Sequence, residues 1–449
     1  MAPQRGAEQS NLNQMADESR PHTPCSTDGS GPLGPFINAI KTTYNTPSDL
    51  LLVVALLVVT LASSIAIIRQ SGIVPAHPMD QSFAESANLH LIRSNGHWEF
   101  HYPSLQNSGG ITSSLIAGLY KLIIPTSHST LNWHIRILAM VGYLGSGFLL
   151  FQRLASKIST RLLCLALLAS SGFQFLQPSS ELFAASSLSL FVFGAMGQWP
   201  VWLASGLLVC YGLCKVELTL SAIGLVIFWW IWEWKDERKR WLIPASASLW
   251  AALFVLPAIV INGKNGVVGS RSWEAFKVKY TSLFHPHQIQ PPGSDPWGYS
   301  HKTIDKIFPK SEHSVFKLII RYPRMYIDYL ALSIVQSSIN ILSTIKFLII
   351  PIGIYLKRRW PLPLKLRFSA ICLLIVIVLG LGPGLFLGFI HSRYVMRYFA
   401  LILAVLIPAN LENAPKNGWL TPLVWTCCLL TLILEFICLP TIYAESHFL

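Results

Sequence analysis

Charge is what this chain has least of. Asp, Glu, Lys and Arg make up 12% of its 449 residues, about half the share carried by a soluble globular domain. An ordinary soluble fold is excluded, because charge is thinned out where it is most costly, inside a lipid bilayer. Acidic residues are the scarcer kind, 21 against 34 Lys and Arg, for a net charge of +13. In a soluble chain that surplus points to nucleic acid. In a membrane protein it marks the loops that face the cytoplasm, and no nucleic-acid partner is expected. Of the eight cysteines, all but Cys25 fall within apolar runs and read as small buried hydrophobes. Neither a CxxC pair nor a Cys/His spacing suggests zinc or a disulfide framework, and no repeat of solenoid period is visible.

What the chain does have is 52% hydrophobic residues, gathered into runs that approach the length needed to span ~30 Å of hydrocarbon. The first run is Leu50–Ile68. Others are Ile135–Phe151, Leu162–Leu176, Leu182–Met196, Trp199–Cys214, Leu218–Trp234, Trp241–Ile261, a run ending at Leu356, Phe368–Ile390, Tyr398–Pro408 and Trp419–Tyr443. The pattern predicts an all-α polytopic membrane protein with about 11 transmembrane helices, occupying residues 49–443. Residues 1–48, rich in Pro, Ser, Gly, Asn and Gln, show no apolar period and read as a disordered cytoplasmic tail. They are not read as a signal peptide, because the first hydrophobic run starts too late and is too long.

Charge orients the spans. The segments around Arg153, Lys157 and Arg161, around Lys235, Arg238, Lys239 and Arg240, and around Lys357, Arg358, Arg359, Lys365 and Arg367 are short, basic and separated by even numbers of crossings. All three fit the cytoplasmic side together, provided that residues 110–125 do not cross. That stretch reads as an interfacial or re-entrant helix, with a short true span as the alternative. Residues 69–134 and 262–324 then form two large external loops, and Gln177–Glu181 and His391–Arg397 are short turns on the same face.

In the first external loop, Phe83, Ala87 and Leu91 fall on one helical stripe that stops at Asn95-Gly96, which predicts an amphipathic helix in the interface. Asp80 sits at its N-terminus, where the helix dipole favours the carboxylate that a general base or a metal ligand needs; a plain helix cap is the alternative. Histidines are numerous on this face, and His285-Pro-His287 is the tightest pair, but spacing alone assigns no metal site.

Asp80 just after the first span, Gly96-His97-Trp98 and then Tyr102-Pro103 resemble the first external loop of GT-C glycosyltransferases, in the branch that contains protein O-mannosyltransferases and lipid A aminoarabinose transferases. The resemblance continues in order. Arg136 opens the second span, which closes on Phe151-Gln-Arg-Leu-Ala-Ser-Lys157. Glu181 lies in the second external turn, where relatives carry an acidic residue. Lys215 ends a small-residue helix, and His391-Ser-Arg393-Tyr394 precedes a late span as the family's Arg-Tyr motif does. Two departures stand out: Gln81 replaces an acidic neighbour, and Tyr102 stands where the aminoarabinose branch has a phosphate-binding Lys.

The resemblance implies a sugar donor on a polyprenyl phosphate, a lipid, glycan or protein acceptor, and transfer on the non-cytoplasmic face. The departing phosphate gains charge and needs fixed cations aimed at it. Arg393, Arg136 and Lys215 are the candidates, with Tyr394 and Tyr102 as neutral partners. Asp80 is the expected general base and Glu85 its reserve, although a solvated helix face suits Glu85 as well. Glu181 is expected to orient the acceptor or hold a divalent cation. Other readings stay open: interfacial snorkelling for Arg393 and Arg397, and a pair with Glu217 for Lys215. A flippase, polymerase or ligase of lipid-linked surface polysaccharide shares the same phosphate chemistry. A bacterial plasma membrane is the expected location, with the N-terminus cytoplasmic.

Overall fold

A computed structural model describes residues 91–94, 97–100, 110–124, 128–170, 179–197, 199–262, 271–284, 304, 306–309, 314–357, 362–387, 390, 392–413 and 419–446. The first hydrophobic run, Leu50–Ile68, and the tail before it lie outside these residues, as do Asp80, Glu85 and Tyr102. Apart from one hairpin, the elements are helical. The hairpin pairs β1 (Leu91–Ser94) with β2 (His97–Phe100) in antiparallel register, Ser94 opposite His97. This corrects the expected amphipathic helix, which was to run through Leu91 as far as Asn95-Gly96. Asn-Gly between two short runs favours the two-residue turn of a hairpin, and here that signal outweighs the helical stripe.

The helices follow in order: α1 (Gly110–Ile123), α2 (His128–Leu154), α3 (Ile158–Ser170), α4 (Ser179–Gly197), α5 (Val201–Leu213), α6 (Thr219–Trp232), α7 (Glu237–Asn262), α8 (Arg271–Phe284), α9 (Val315–Arg321), α10 (Pro323–Ile345), α11 (Ile349–Lys357), α12 (Leu364–Val376), α13 (Gly382–Leu387), α14 (Ser392–Met396), α15 (Phe399–Leu411) and α16 (Leu420–Ser446). Five stretches are long and apolar enough to cross a membrane: His134–Leu154, Ser179–Gly197, Glu237–Ile261, Pro323–Lys357 and Leu364–Phe386. Ile158–Ser170, Val201–Leu213, Val216–Trp232, Phe399–Leu411 and Leu420–Leu434 are apolar but shorter. Where its residues are described, each apolar run read from the sequence beyond residue 134 is helical, while among the described residues five stretches, against the expected count of about eleven, have the length to cross. At 14 residues, α1 rises about 21 Å and falls short of the ~30 Å of hydrocarbon.

Burial separates core helices from rim helices. The crossing window of α4 is 72% buried and that of α7 only 17%. α4 is lined on all sides by Ala184, Ala185, Ser186, Ser189 and larger apolar residues that are buried, and such a helix belongs in the centre of a bundle. α15 is buried from Phe399 to Asn410. Small residues bring α4 close to α2, where a Cβ added at Gly142 would lie 3.3 Å from Ser186 Oγ; close backbone approach of this kind is how helices associate in lipid.

Side-chain contacts define one end of the bundle. Arg153 donates to the Met196 carbonyl at 2.8 Å, and the Ser369 hydroxyl lies 3.3 Å from Met196 Sδ. Phe368 packs on Phe228 and Trp232 with ring centroids 5.3 Å away in each case. The starts of α3 and α12 and the ends of α2, α4, α6 and α15 therefore meet there, beside the basic segments. Glu412, just past α15, accepts from the Ser156 backbone and hydroxyl, each at 2.7 Å, and from the Lys157 backbone at 2.9 Å. Burial pushes its carboxyl up, but these hydrogen bonds to the ionised form outweigh burial and hold it below the usual carboxylate range.

Candidate functional site

At the opposite end, three segments distant in sequence converge. Glu181 lies in the first turn of α4, where the helix dipole favours a carboxylate. Lys215 follows the end of α5 in extended conformation, before the 3-10 turn Val216–Leu218. Arg397 sits in the turn between α14 and α15. Lys215 Nζ donates to one oxygen of Glu181, and Arg397 Nε donates to the other. Arg397 Nη2 adds a bond to Glu181 Oε1 at 2.8 Å and reaches Glu217 Oε1 at 3.4 Å. Glu181, Lys215 and Arg397 are each no more than 3% exposed. A bidentate guanidinium–carboxylate pair with a second cation on the same carboxylate satisfies both oxygens and fixes their direction. Removing one partner from such a buried group is strongly destabilising, because it strands the others.

Tyr394 in α14 covers this cluster, with the Arg397 guanidinium 4.5 Å from its ring centroid, within cation–π reach. Behind it lies a chain of hydroxyls. Tyr211 OH is 3.2 Å from Tyr398 OH and 2.8 Å from Ser221 Oγ, which donates to the Leu218 carbonyl at 2.8 Å. Tyr398 OH fits because Gly380 has no side chain: a Cβ there would meet it at 2.3 Å. Gly380 lies in a π-helical turn, Ile377–Leu381, between α12 and α13, a widened turn that admits the tyrosine.

α1 seals one flank of the site. Gly110 takes φ +60°, and a Cβ on it would strike the Cys214 and Leu213 carbonyls at 2.3 and 2.4 Å. Only glycine fits a left-handed backbone pressed against another backbone. The Thr112 hydroxyl donates to the Cys210 carbonyl at 2.9 Å, so the start of α1 is tied to the residues just before Lys215. Farther along, Tyr120 OH and His134 Nδ1 are 2.8 Å apart, linking α1 to α2.

Of the residues expected from the sequence, Glu181, Lys215 and Tyr394 come together. Arg136 is 3% exposed and lies at the same level, because α2 and α4 run parallel with Gly142 beside Ser186 and Arg153 bonded to Met196. The backbone of Arg393 lies in α14, while its side chain is outside the described residues, as are Asp80, Glu85 and Tyr102.

Arg397 is the residue the sequence undervalued. Read as a candidate for interfacial snorkelling, it is instead buried in the ion cluster. A signal was available: two Arg-Tyr pairs stand four residues apart here, at 393–394 and at 397–398, and the first copy drew the attention. Lys277 and Lys279 in α8, 1% and 8% exposed, were also missed. Lys277 falls one helical turn after the buried Trp273, on the face a solvated lysine avoids. Among the described residues no group of three or more His, Cys, Asp or Glu is arranged to hold a metal ion. Compared with protein-family models, with curated proteins and with solved structures, the chain matches none.

Proposed function

We propose that this chain is a GT-C-like membrane glycosyltransferase that moves a sugar from a polyprenyl-phosphate donor to a lipid, glycan or protein acceptor. The observation that carries the reading is the buried cluster of Glu181, Lys215 and Arg397, covered by Tyr394 and level with Arg136, at the end of the bundle away from the basic segments. In this reading the basic end is cytoplasmic, the chain crosses about eleven times from a cytoplasmic N-terminus, and the cluster meets the outer leaflet of a bacterial plasma membrane.

The chemistry then divides between two sides of the sugar. An acceptor O–H attacks the anomeric carbon while Asp80 takes its proton, with Glu85 as the reserve base. The bond from that carbon to the phosphate oxygen breaks, and the electron pair leaves with the lipid phosphate. Cations held in advance stabilise that charge without reorganising: Arg136, Lys215, Arg393 and Arg397, with Tyr394 and Tyr102 as hydroxyl partners. Glu181, whose two oxygens are engaged by Lys215 and Arg397, positions these cations rather than touching the sugar.

The test is transfer from a radiolabelled polyprenyl-phosphate sugar by the purified chain. Wild type is expected to transfer and Asp80→Asn to lose at least about a hundredfold. Retained activity in Asp80→Asn removes that residue as base. No transfer with any donor, together with movement of the labelled lipid across vesicles, replaces the reading with a flippase.

A further inference from the structure

The family resemblance implies that the external loop 262–324 covers the acceptor side. We propose that its helix α8 instead builds one wall of the donor-phosphate pocket, with Lys279 as an additional anion-binding residue. The proposal rests on the transferase reading above and deepens it.

Three observations converge on Lys279. Its ammonium stands 5.2 Å from the centroid of the Tyr394 ring, the same ring that lies 4.5 Å from the Arg397 guanidinium. One tyrosine therefore links a cation of the 262–324 stretch to the buried ion cluster. Lys279 is 8% exposed, an unusual state for an ammonium that flexible solvent-facing lysines avoid. The helix that carries it is held firmly. Trp273, Phe276 and Tyr280 pack with Phe308, Tyr326 and Tyr329 in one aromatic cluster, with Phe276 and Tyr329 at 4.9 Å and Tyr280 and Phe308 at 5.2 Å between centroids. Much of the entropy that a long side chain loses on binding is thus already lost at the backbone and stem.

A lysine held this way brings a compact point charge to the same tyrosine ring that meets a planar guanidinium. Arg recognises the oxygens of a phosphate in a forked geometry, whereas Lys attracts the group as a whole. A lipid phosphate leaving the sugar carries charge on several oxygens, so cations approaching from both α14–α15 and α8 stabilise it better than either side alone. Seated on one wall by α8, the phosphate orients the sugar toward the opposite side, where the acceptor enters.

The test uses the full-length chain and a fluorescent short-chain polyprenyl phosphate without sugar, with the matching polyprenol as the arm that lacks phosphate. Wild type is expected to bind the phosphate in preference to the alcohol. Lys279→Met is expected to weaken the phosphate roughly ten- to hundredfold, Lys279→Arg to recover most of the loss, and alcohol binding to stay the same in all three. In transfer, the donor KM rises and the acceptor KM stays constant. If Lys279→Met binds the phosphate as wild type does, α8 is not part of the pocket and the transferase reading stands. A rise in acceptor KM alone returns the stretch to the acceptor side. If wild type does not distinguish phosphate from alcohol, the transferase reading fails and Lys279 with it. Should Lys279→Met not fold, Lys279→Gln, which keeps a polar head without the charge, is expected to weaken phosphate binding similarly, and unchanged binding there overturns the proposal.

Discussion

Two carboxylates sit at opposite ends of the same bundle, and each is held by several donors. Glu412 is half-buried and takes its hydrogen bonds from the backbone and hydroxyl at the start of α3, neutral donors that a helix N-terminus always has spare. Glu181 is fully buried and is held by two charged side chains from segments that are neighbours only in space. The first arrangement joins α15 to α3 at little electrostatic cost. The second takes three charges out of water, and an apolar substitute of similar shape often stabilises a fold as well or better. A bundle that needs only cohesion gains little from the second kind, so in the proposed function the comparison is between a clasp and a site.

The sharpest way to break that comparison is to strand the cluster. Glu181→Gln leaves Lys215 and Arg397 buried around a neutral amide and is expected to lower stability by roughly 3–5 kcal/mol, read as the melting temperature of the protein in detergent. Glu181→Leu, Lys215→Met and Arg397→Met combined remove all three charges and are expected to fall within about 2 kcal/mol of wild type, yet to abolish transfer. A stable triple variant that still transfers sugar makes the cluster a second clasp.

Gly380→Ala comes next in size. Its Cβ collides with Tyr398 OH and, for a rigid neighbour, is expected to cost about 1–3 kcal/mol. It displaces the hydroxyl chain behind Arg397, so activity is expected to fall further than stability does. Equal losses assign the hydroxyl chain to packing alone.

Glu412→Gln is expected to have the smallest effect, about 1 kcal/mol, the range of a lost helix cap, with transfer unchanged. Its pH dependence has a definite sign. The folded state favours ionised Glu412, so the unfolded chain binds more protons, and the contribution is complete above the usual carboxylate range. It fades as pH drops through the lowered folded value. Unfolding followed from pH 6 down to about pH 3 is expected to show wild type losing its advantage over Glu412→Gln. A constant gap contradicts the hydrogen bonds at the start of α3.

The sequence located the helices well because hydropathy is a sum over many residues, and lipid punishes polar backbone everywhere along a span. It located α1 for a related reason, since residues 110–123 are too few to cross. It failed on β1 and β2, where Phe83, Ala87 and Leu91 offered a helical stripe and the two residues Asn95-Gly96 settled the matter locally. Two of the three charges of the cluster were legible: Glu181 and Lys215 stand out as charges at helix ends. Arg397 did not, because hydropathy places a residue at a helix terminus without saying which way its side chain turns. Lys279 was hidden for a deeper reason, in that its neighbour Tyr394 is more than a hundred residues away and no local pattern announces the contact.

That separation has a further consequence during synthesis. Glu181 meets Lys215 after 34 residues but waits 216 for Arg397. At ordinary elongation rates the second interval lasts roughly ten to forty seconds, during which Glu181 has its charge matched by Lys215 but only one of its two oxygens held by a cation. A chain truncated before α14 is therefore expected to hold a neutral Glu181–Lys215 pair that lacks the forked contact from Arg397, whereas truncation after α15 leaves both carboxylate oxygens engaged.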